Sequence, residues 1–253
     1  MIDAHIHLDQ YDYLTLPEKI DQWQQAGVKQ VIAVSTDLHS SYKTLELQLR
    51  FPYFVNACIG FHPEFSYPTN HDLIEFKQLL KEERSRITAI GEIGLPHYEP
   101  QQVDKLPFFT ELLDELLLYA YQYELPVSLH AVHDKAASVL SLLKKHKIKQ
   151  AHFHWFKGPQ DVLTNILNAQ YYISVTPELC YRKRDQLLLQ NVPLTQLLIE
   201  TDGPWQYNDS FQNQETTPLM LKNVVHSIEQ QVHDTKLNIA EQIEFNTKQC
   251  YLL

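Results

Sequence analysis

Short apolar runs alternate along this chain with longer amphipathic stretches. Eight of the short runs read as strands: Ile2–Leu8, Val28–Ser35, Phe54–Gly60, Ile87–Glu92, Val127–His130, Gln150–His154, Tyr171–Val175 and Leu197–Glu200. Helical patterns lie between them. Pro17–Ala26 has Pro near its start and Gly27 just past its end, the usual asymmetry of helix boundaries. In Asp134–His146, residues Ala136, Val139, Leu140 and Leu143 mark one apolar stripe, and Asp134 stands where an N-cap is wanted. Strands alternating with helices predict a parallel sheet. Eight such units predict an α/β fold closed as a (β/α)8 TIM barrel. An open doubly wound sheet fits less well, because no Gly-rich phosphate loop follows the first strand. No repeat, low-complexity tract or Pro/Gly-rich linker divides the chain, so residues 1–253 read as one domain.

Composition agrees with that picture. Barrels of this kind commonly run to about 250 residues, and an apolar fraction of 44% supplies a substantial core. Cys58, Cys180 and Cys250 are odd in number and form no CxxC pair, which suits reduced thiols in a cytoplasmic protein. Asp3 and His5 interrupt any signal-peptide apolar region. The apolar stretch Leu112–Tyr121 contains Asp114 and Glu115, so it reads as a core helix and not a membrane span. The net charge of −10 argues against a broad basic surface for nucleic acid. It leaves room for a small site whose positive charge comes from bound cations. Nothing in the sequence calls for an obligate protein partner.

The histidines change the picture most. There are 13. His5 and His7 stand two apart on the first strand, and residues i and i+2 share a face. In a parallel barrel the catalytic face is where the strands end. Glu92 ends the fourth strand, His130 the fifth and His154 the sixth, and Asp202 follows the eighth. Any one of these could be a hydrogen-bonded core residue, and Asp202 alone could cap a helix. Together they predict one shared site. Four His and two carboxylates exceed one tetrahedral zinc with an open position. They suit two divalent ions with a carboxylate between them, able to polarise a phosphoryl or carbonyl oxygen and activate water. Zinc, manganese, nickel, iron and magnesium all remain open. Glu200 lies two residues before Asp202, placed to accept a hydrogen bond from a ligand His or to orient Asp202. His39, His71, His146, His226 and His233 fall in helix or loop patterns and read as surface residues. The polar segment 206–217 reads by default as a solvated loop, and as a functional element it would be a partial lid carrying Tyr207 and Phe211.

Five segments carry a family resemblance. They are Asp3-Ala4-His5-Ile6-His7-Leu8-Asp9, Gly60-Phe61-His62-Pro63, Ile90-Gly91-Glu92-Ile93-Gly94-Leu95, Pro126-Val127-Ser128-Leu129-His130 and Glu200-Thr201-Asp202. In that order they resemble the motifs of the TatD family of metal-dependent hydrolases, in the amidohydrolase superfamily. The resemblance runs nearly end to end. It implies that His5, His7, Glu92 and Asp202 bind one divalent ion. It implies that Glu92, His130 and His154 bind a second, that Asp202 orients or deprotonates the attacking water, and that His62 lies near the substrate. Because the family includes DNases and 3′–5′ exonucleases, it also implies a phosphodiesterase acting on DNA or a small phosphodiester. Two positions depart from the family pattern. Pro96 follows Gly-Leu where Asp is common, and Val132 stands two after His130 where Arg is common. An Arg there would pair bidentately with phosphate. Lys157, Arg182, Arg184 and His133 are the cations that could replace it. The missing Arg and the acidic charge favour the alternative of a small ester or amide substrate. A non-catalytic metal-binding scaffold is the third reading, and retention of all six ligands argues against it.

Overall fold

The computed structural model describes residues 1–232 and 238–253. His233 therefore lies outside the described residues. Eight strands form one parallel sheet in sequence order. They are β1 (Ile2–Ile6), β2 (Gln30–Val34), β3 (Val55–Ile59), β4 (Ile87–Gly94), β5 (Val127–His130), β6 (Ala151–Phe153), β7 (Tyr172–Val175) and β8 (Leu197–Ile199). Two backbone hydrogen bonds join the end of β8 to β1: Asp202 N–H donates to His5 O at 2.9 Å, and His7 N–H donates to Gly203 O at 2.8 Å. The result is a (β/α)8 barrel.

All eight predicted strands are present, with ends displaced by a few residues. β1 stops at Ile6, and His7 just past it donates its amide across to Gly203. β4 runs on to Gly94, which pairs with His130. His154 and Glu200 stand just past their strands, His154 lining the barrel mouth and Glu200 buried beneath it.

The helices obey their sequence signals. Leu16–Gln25 has Pro near its N-terminus and ends at Gly27, whose φ of +96° is a left-handed exit that suits glycine. Lys135–Lys145 buries Ala136, Val139, Leu140 and Leu143 as the stripe predicts. Asp134 holds its N-cap position but makes no cap bond. Its carboxylate goes instead to Lys135 Nζ and His97 Nδ1. The helix Leu106–Gln122 buries Phe109, Leu113 and Leu116 against the strands, and no helix among the described residues is long and apolar enough to cross a membrane.

A small cluster drawn from strands around the barrel fills its interior. Ala4, Ile32, Cys58, Ala89 and Leu198 belong to it, and the C-terminal helix (Ile239–Tyr251) adds Cys250 and Tyr251. Barrel closure has its own latch. Asp3, fully buried, accepts from Thr201 N–H at 3.0 Å, from the Thr201 hydroxyl and from His5 N–H at 3.3 Å. Burial pushes its carboxyl up to about 8, partly offset by those donors. Asp3→Ala leaves the donors unpaired, and each such loss costs about 1–3 kcal/mol. A lowered urea midpoint is the expected outcome, and an unmoved midpoint would show that closure does not depend on this latch.

Candidate metal centre

Glu92 stands at the centre of the barrel mouth with no solvent exposure, and its two oxygens face different neighbours. Oε2 lies 3.1 Å from His5 Nε2 and 3.5 Å from His7 Nε2. Oε1 lies 2.9 Å from His130 Nδ1, 2.8 Å from His154 Nε2 and 3.2 Å from His62 Nε2. Asp202 Oδ1 closes the first side, 3.5 Å from His7 Nε2 and 3.6 Å from His5 Nε2. The structure thus brings all six predicted ligand candidates together. It adds His62 to the same ring, where the sequence placed it only near substrate. Asp202 adopts φ +48°, a left-handed backbone that costs a non-glycine residue about 1–3 kcal/mol and is typical of functional sites. Its amide bond to His5 O helps hold it there.

The donor chemistry fits a divalent cation. His5 Nε2 and Glu92 Oε2 are buried and have no hydrogen-bond partner among the described residues. Such atoms are costly unless something satisfies them. Four groupings have one donor atom per residue, all within 4.8 Å of one another: His5, Glu92 and His154; His5, His7 and Asp202; His62, Glu92 and His130; and His5, His152 and Glu200. Burial opposes ionising Glu92, but His154, His62 and His5 and the His130 hydrogen bond outweigh it, leaving the carboxyl well below its usual range. Asp202 is lowered in the same way, with His7 as the main opponent of burial. Against their own burial, Asp202 raises His7, Glu64 and Glu92 raise His130, and Glu92 and Glu200 raise His154 strongly. His5 and His62 stay neutral, His62 at about 4, because burial dominates there.

This ring of carboxylates therefore attracts positive charge, which protons or a cation can supply. Metal binding releases those protons. The raised values put the competition at and above the ordinary imidazole value of 6.5. Metal affinity is accordingly expected to rise with pH through 6.5 and on towards neutrality, measured by titration calorimetry at several pH values. An affinity flat across that window would contradict the assignment.

Several supporting residues escaped the sequence reading. Glu64 accepts from three successive amides, those of His97, Tyr98 and Glu99, at 2.7, 3.0 and 2.9 Å, and sits 3.2 Å from His130 Nε2. Burial opposes its charge, but His130 and those amides bring it down to about 2. Only its place two residues after His62 could have drawn attention to it. One layer below the mouth, Glu200 lies between His154 Nδ1 at 3.5 Å and His152 Nε2 at 3.4 Å. The Tyr251 hydroxyl is 2.7 Å from His152 Nδ1, and Ser128 Oγ is 3.2 Å from His5 Nδ1. Glu200 thus faces a histidine of the ring and does not touch Asp202 by any hydrogen bond among the described residues.

The remaining residues divide clearly. Lys157 lines the roughly 750 Å³ cavity above Glu92. Arg182 does not: its Nε is 2.9 Å from Glu178 Oε1 at the start of helix Lys183–Leu189. Arg184 is likewise held by Glu178 and Asp185. The 206–217 loop is not simply solvated. Tyr207 and Phe211 are buried with Trp155 and Met220, and Tyr207 OH donates to Thr201 O at 2.7 Å. Burying those two aromatic rings outweighed the polar composition between them. His39, His71 and His226 are exposed, whereas His146 is partly buried against Asp114 at 2.7 Å.

The family model described as TatD related DNase matches residues 2–252. The chain belongs to the TatD family. An uncharacterized metal-dependent hydrolase of Haemophilus influenzae is 34% identical over 255 residues, covering all of both chains. Human deoxyribonuclease TATDN3 is 27% identical over 215 residues, 81% of this chain and 78% of that protein. The crystal structure of YjjV, a TatD homologue of Escherichia coli, superposes with a TM-score of 0.89 at 25% identity, covering 100% of this chain and 98% of that one. This TatD barrel is thus a metal-dependent hydrolase whose His, Glu and Asp clusters fit a divalent metal.

Proposed function

We propose that the chain is a phosphodiesterase of the deoxyribonuclease type, working with two divalent ions on either side of Glu92 in a single barrel domain. The division of the Glu92 oxygens carries this reading, with His5 and His7 facing one and His130 and His154 the other. A bridging carboxylate is what a two-ion site needs. Relatives named as deoxyribonucleases support the choice of bond.

In this reading His5, His7, Glu92 and Asp202 hold one ion and Glu92, His130 and His154 the other. Bound there, divalent ions supply Lewis acidity toward the phosphoryl oxygens and an acidified water. The chain's own residues do the rest. Asp202, held ionised by His7 and His5 and lining the cavity, accepts the proton of the attacking water at a carboxylate oxygen. His62, kept neutral by burial, offers an uncharged imidazole beside the substrate. Glu200, 3.5 Å behind His154 Nδ1, is placed to orient that ring.

Glu200→Gln is therefore expected to lower turnover less than Asp202→Asn does. Equal losses would mark Glu200 as a ligand or base in its own right. The reading as a whole is tested by stripping metal with a chelator and assaying single-stranded DNA, bis(p-nitrophenyl) phosphate and p-nitrophenyl acetate with and without added divalent ions. Metal-dependent cleavage of the phosphodiesters is expected. Cleavage of the ester alone would select the small-ester reading, which the net charge of −10 favours.

A further inference from the structure

One wall of the cavity is built from side chains that the metal centre does not use. Trp155 follows His154 directly and adopts φ +37°, a backbone rare for a bulky residue. Its amide donates to Ser174 Oγ at 2.9 Å. That turn buries the indole, 6% exposed, with its ring under Lys157, whose Nζ is 3.6 Å from the ring centroid. Lys157 also lies 5.8 Å from the ring of Tyr98. Among the described residues it has no carboxylate within ion-pair distance, although Glu178 and Asp185 nearby hold both Arg182 and Arg184. Burial, then Arg184, brings the Lys157 ammonium down to about 8, which leaves it charged at neutral pH.

Trp205 completes the wall. Its ring meets Trp155 edge-on, with centroids 5.8 Å apart and planes at 74°. It is nevertheless 58% exposed while lining the cavity. Its amide donates to Asp202 O at 3.0 Å, so the indole is placed by the same turn that places Asp202. A charged donor and an open aromatic surface thus converge beside the metal-binding carboxylates. An anion satisfies the ammonium, and a planar group satisfies the ring.

We propose that Trp155, Lys157 and Trp205 form a nucleotide subsite: Lys157, seated on the Trp155 ring, takes the phosphate next to the scissile one, and Trp205 stacks the adjoining base. This rests on the phosphodiesterase reading and adds that the site selects a substrate with a second phosphate and a base beyond the bond cut.

The test uses the full-length protein loaded with Mn²⁺. Affinities for thymidine 3′,5′-bisphosphate, thymidine 5′-monophosphate and deoxyribose 5-phosphate are read from tryptophan fluorescence and calorimetry. The native protein is expected to prefer the bisphosphate over the monophosphate by at least tenfold. Lys157→Met should bring that preference below threefold, while Lys157→Arg, which keeps the charge, should restore it. Trp205→Ala should cut the preference for the monophosphate over deoxyribose phosphate at least fivefold. No bisphosphate preference in the native protein, or one that survives in Lys157→Met, overturns the subsite. Turnover of bis(p-nitrophenyl) phosphate by the native protein is measured beside these affinities. If that activity is absent with every added metal, the phosphodiesterase reading falls, and the subsite falls with it.

Discussion

An Asp202→Asn protein is expected to fold normally, retain most of its metal and hydrolyse its substrate at least roughly a hundredfold more slowly. Asn keeps the shape and an acceptor oxygen, so the backbone bond from residue 202 to His5 O and the left-handed turn are undisturbed. What disappears is a carboxylate held ionised against its own burial by His7, His5 and His154. Losing a general base costs about 10²–10⁴ in rate. His130→Ala provides the contrast, because it removes a ring atom 2.9 Å from Glu92 Oε1. It should lose metal and activity together and be partly rescued by excess ion. Elemental analysis beside turnover separates the two. Complete loss of metal from Asp202→Asn, or activity near native, would refute the proton-transfer role.

Glu92→Gln should be worse. The amide keeps one acceptor, but its NH₂ must then face either His5 and His7 or His130 and His154, and the negative charge between them is gone. Metal content is expected to fall by at least one equivalent, with a rate loss at least as large as the roughly 10²–10⁴ expected for Asp202→Asn. A second readout needs no turnover. Against the opposing effect of burial, Glu92 is the main group holding the His154 imidazolium well above its ordinary range. In metal-free Glu92→Gln, the His154 titration followed by NMR should move down. A normal metal complement in Glu92→Gln would remove Glu92 from the centre of the site.

Much of this was legible in the order of residues because barrel topology converts sequence position into depth. A strand end is a place on the mouth, so His130, His154 and Glu92 could be placed together without coordinates. The 3.6-residue stripe in Lys135–Lys145 worked for the same reason: a single period specifies a single face. What remained hidden depends on contacts between distant segments. Glu64 matters through amides some 33 residues further on, and no local pattern announces an acceptor for another loop's backbone. Tyr251 reaches under the site from the far end of the chain. Arg182 and Lys157 looked equivalent as cations near strand ends. Glu178, four residues before Arg182, holds one of them, and no carboxylate among the described residues holds the other. The 206–217 loop misled through its polar composition, since burial of Tyr207 and Phe211 decided its path.

Anomalous scattering from crystals grown with Mn²⁺ or Zn²⁺ tests the central claim most directly. Two peaks are predicted at the barrel mouth, one on each side of the Glu92 carboxylate. His5, His7 and Asp202 should ligate the first and His130 and His154 the second, with distances of roughly 2.0–2.3 Å. A single peak, or peaks that Glu92 does not touch, would contradict the account.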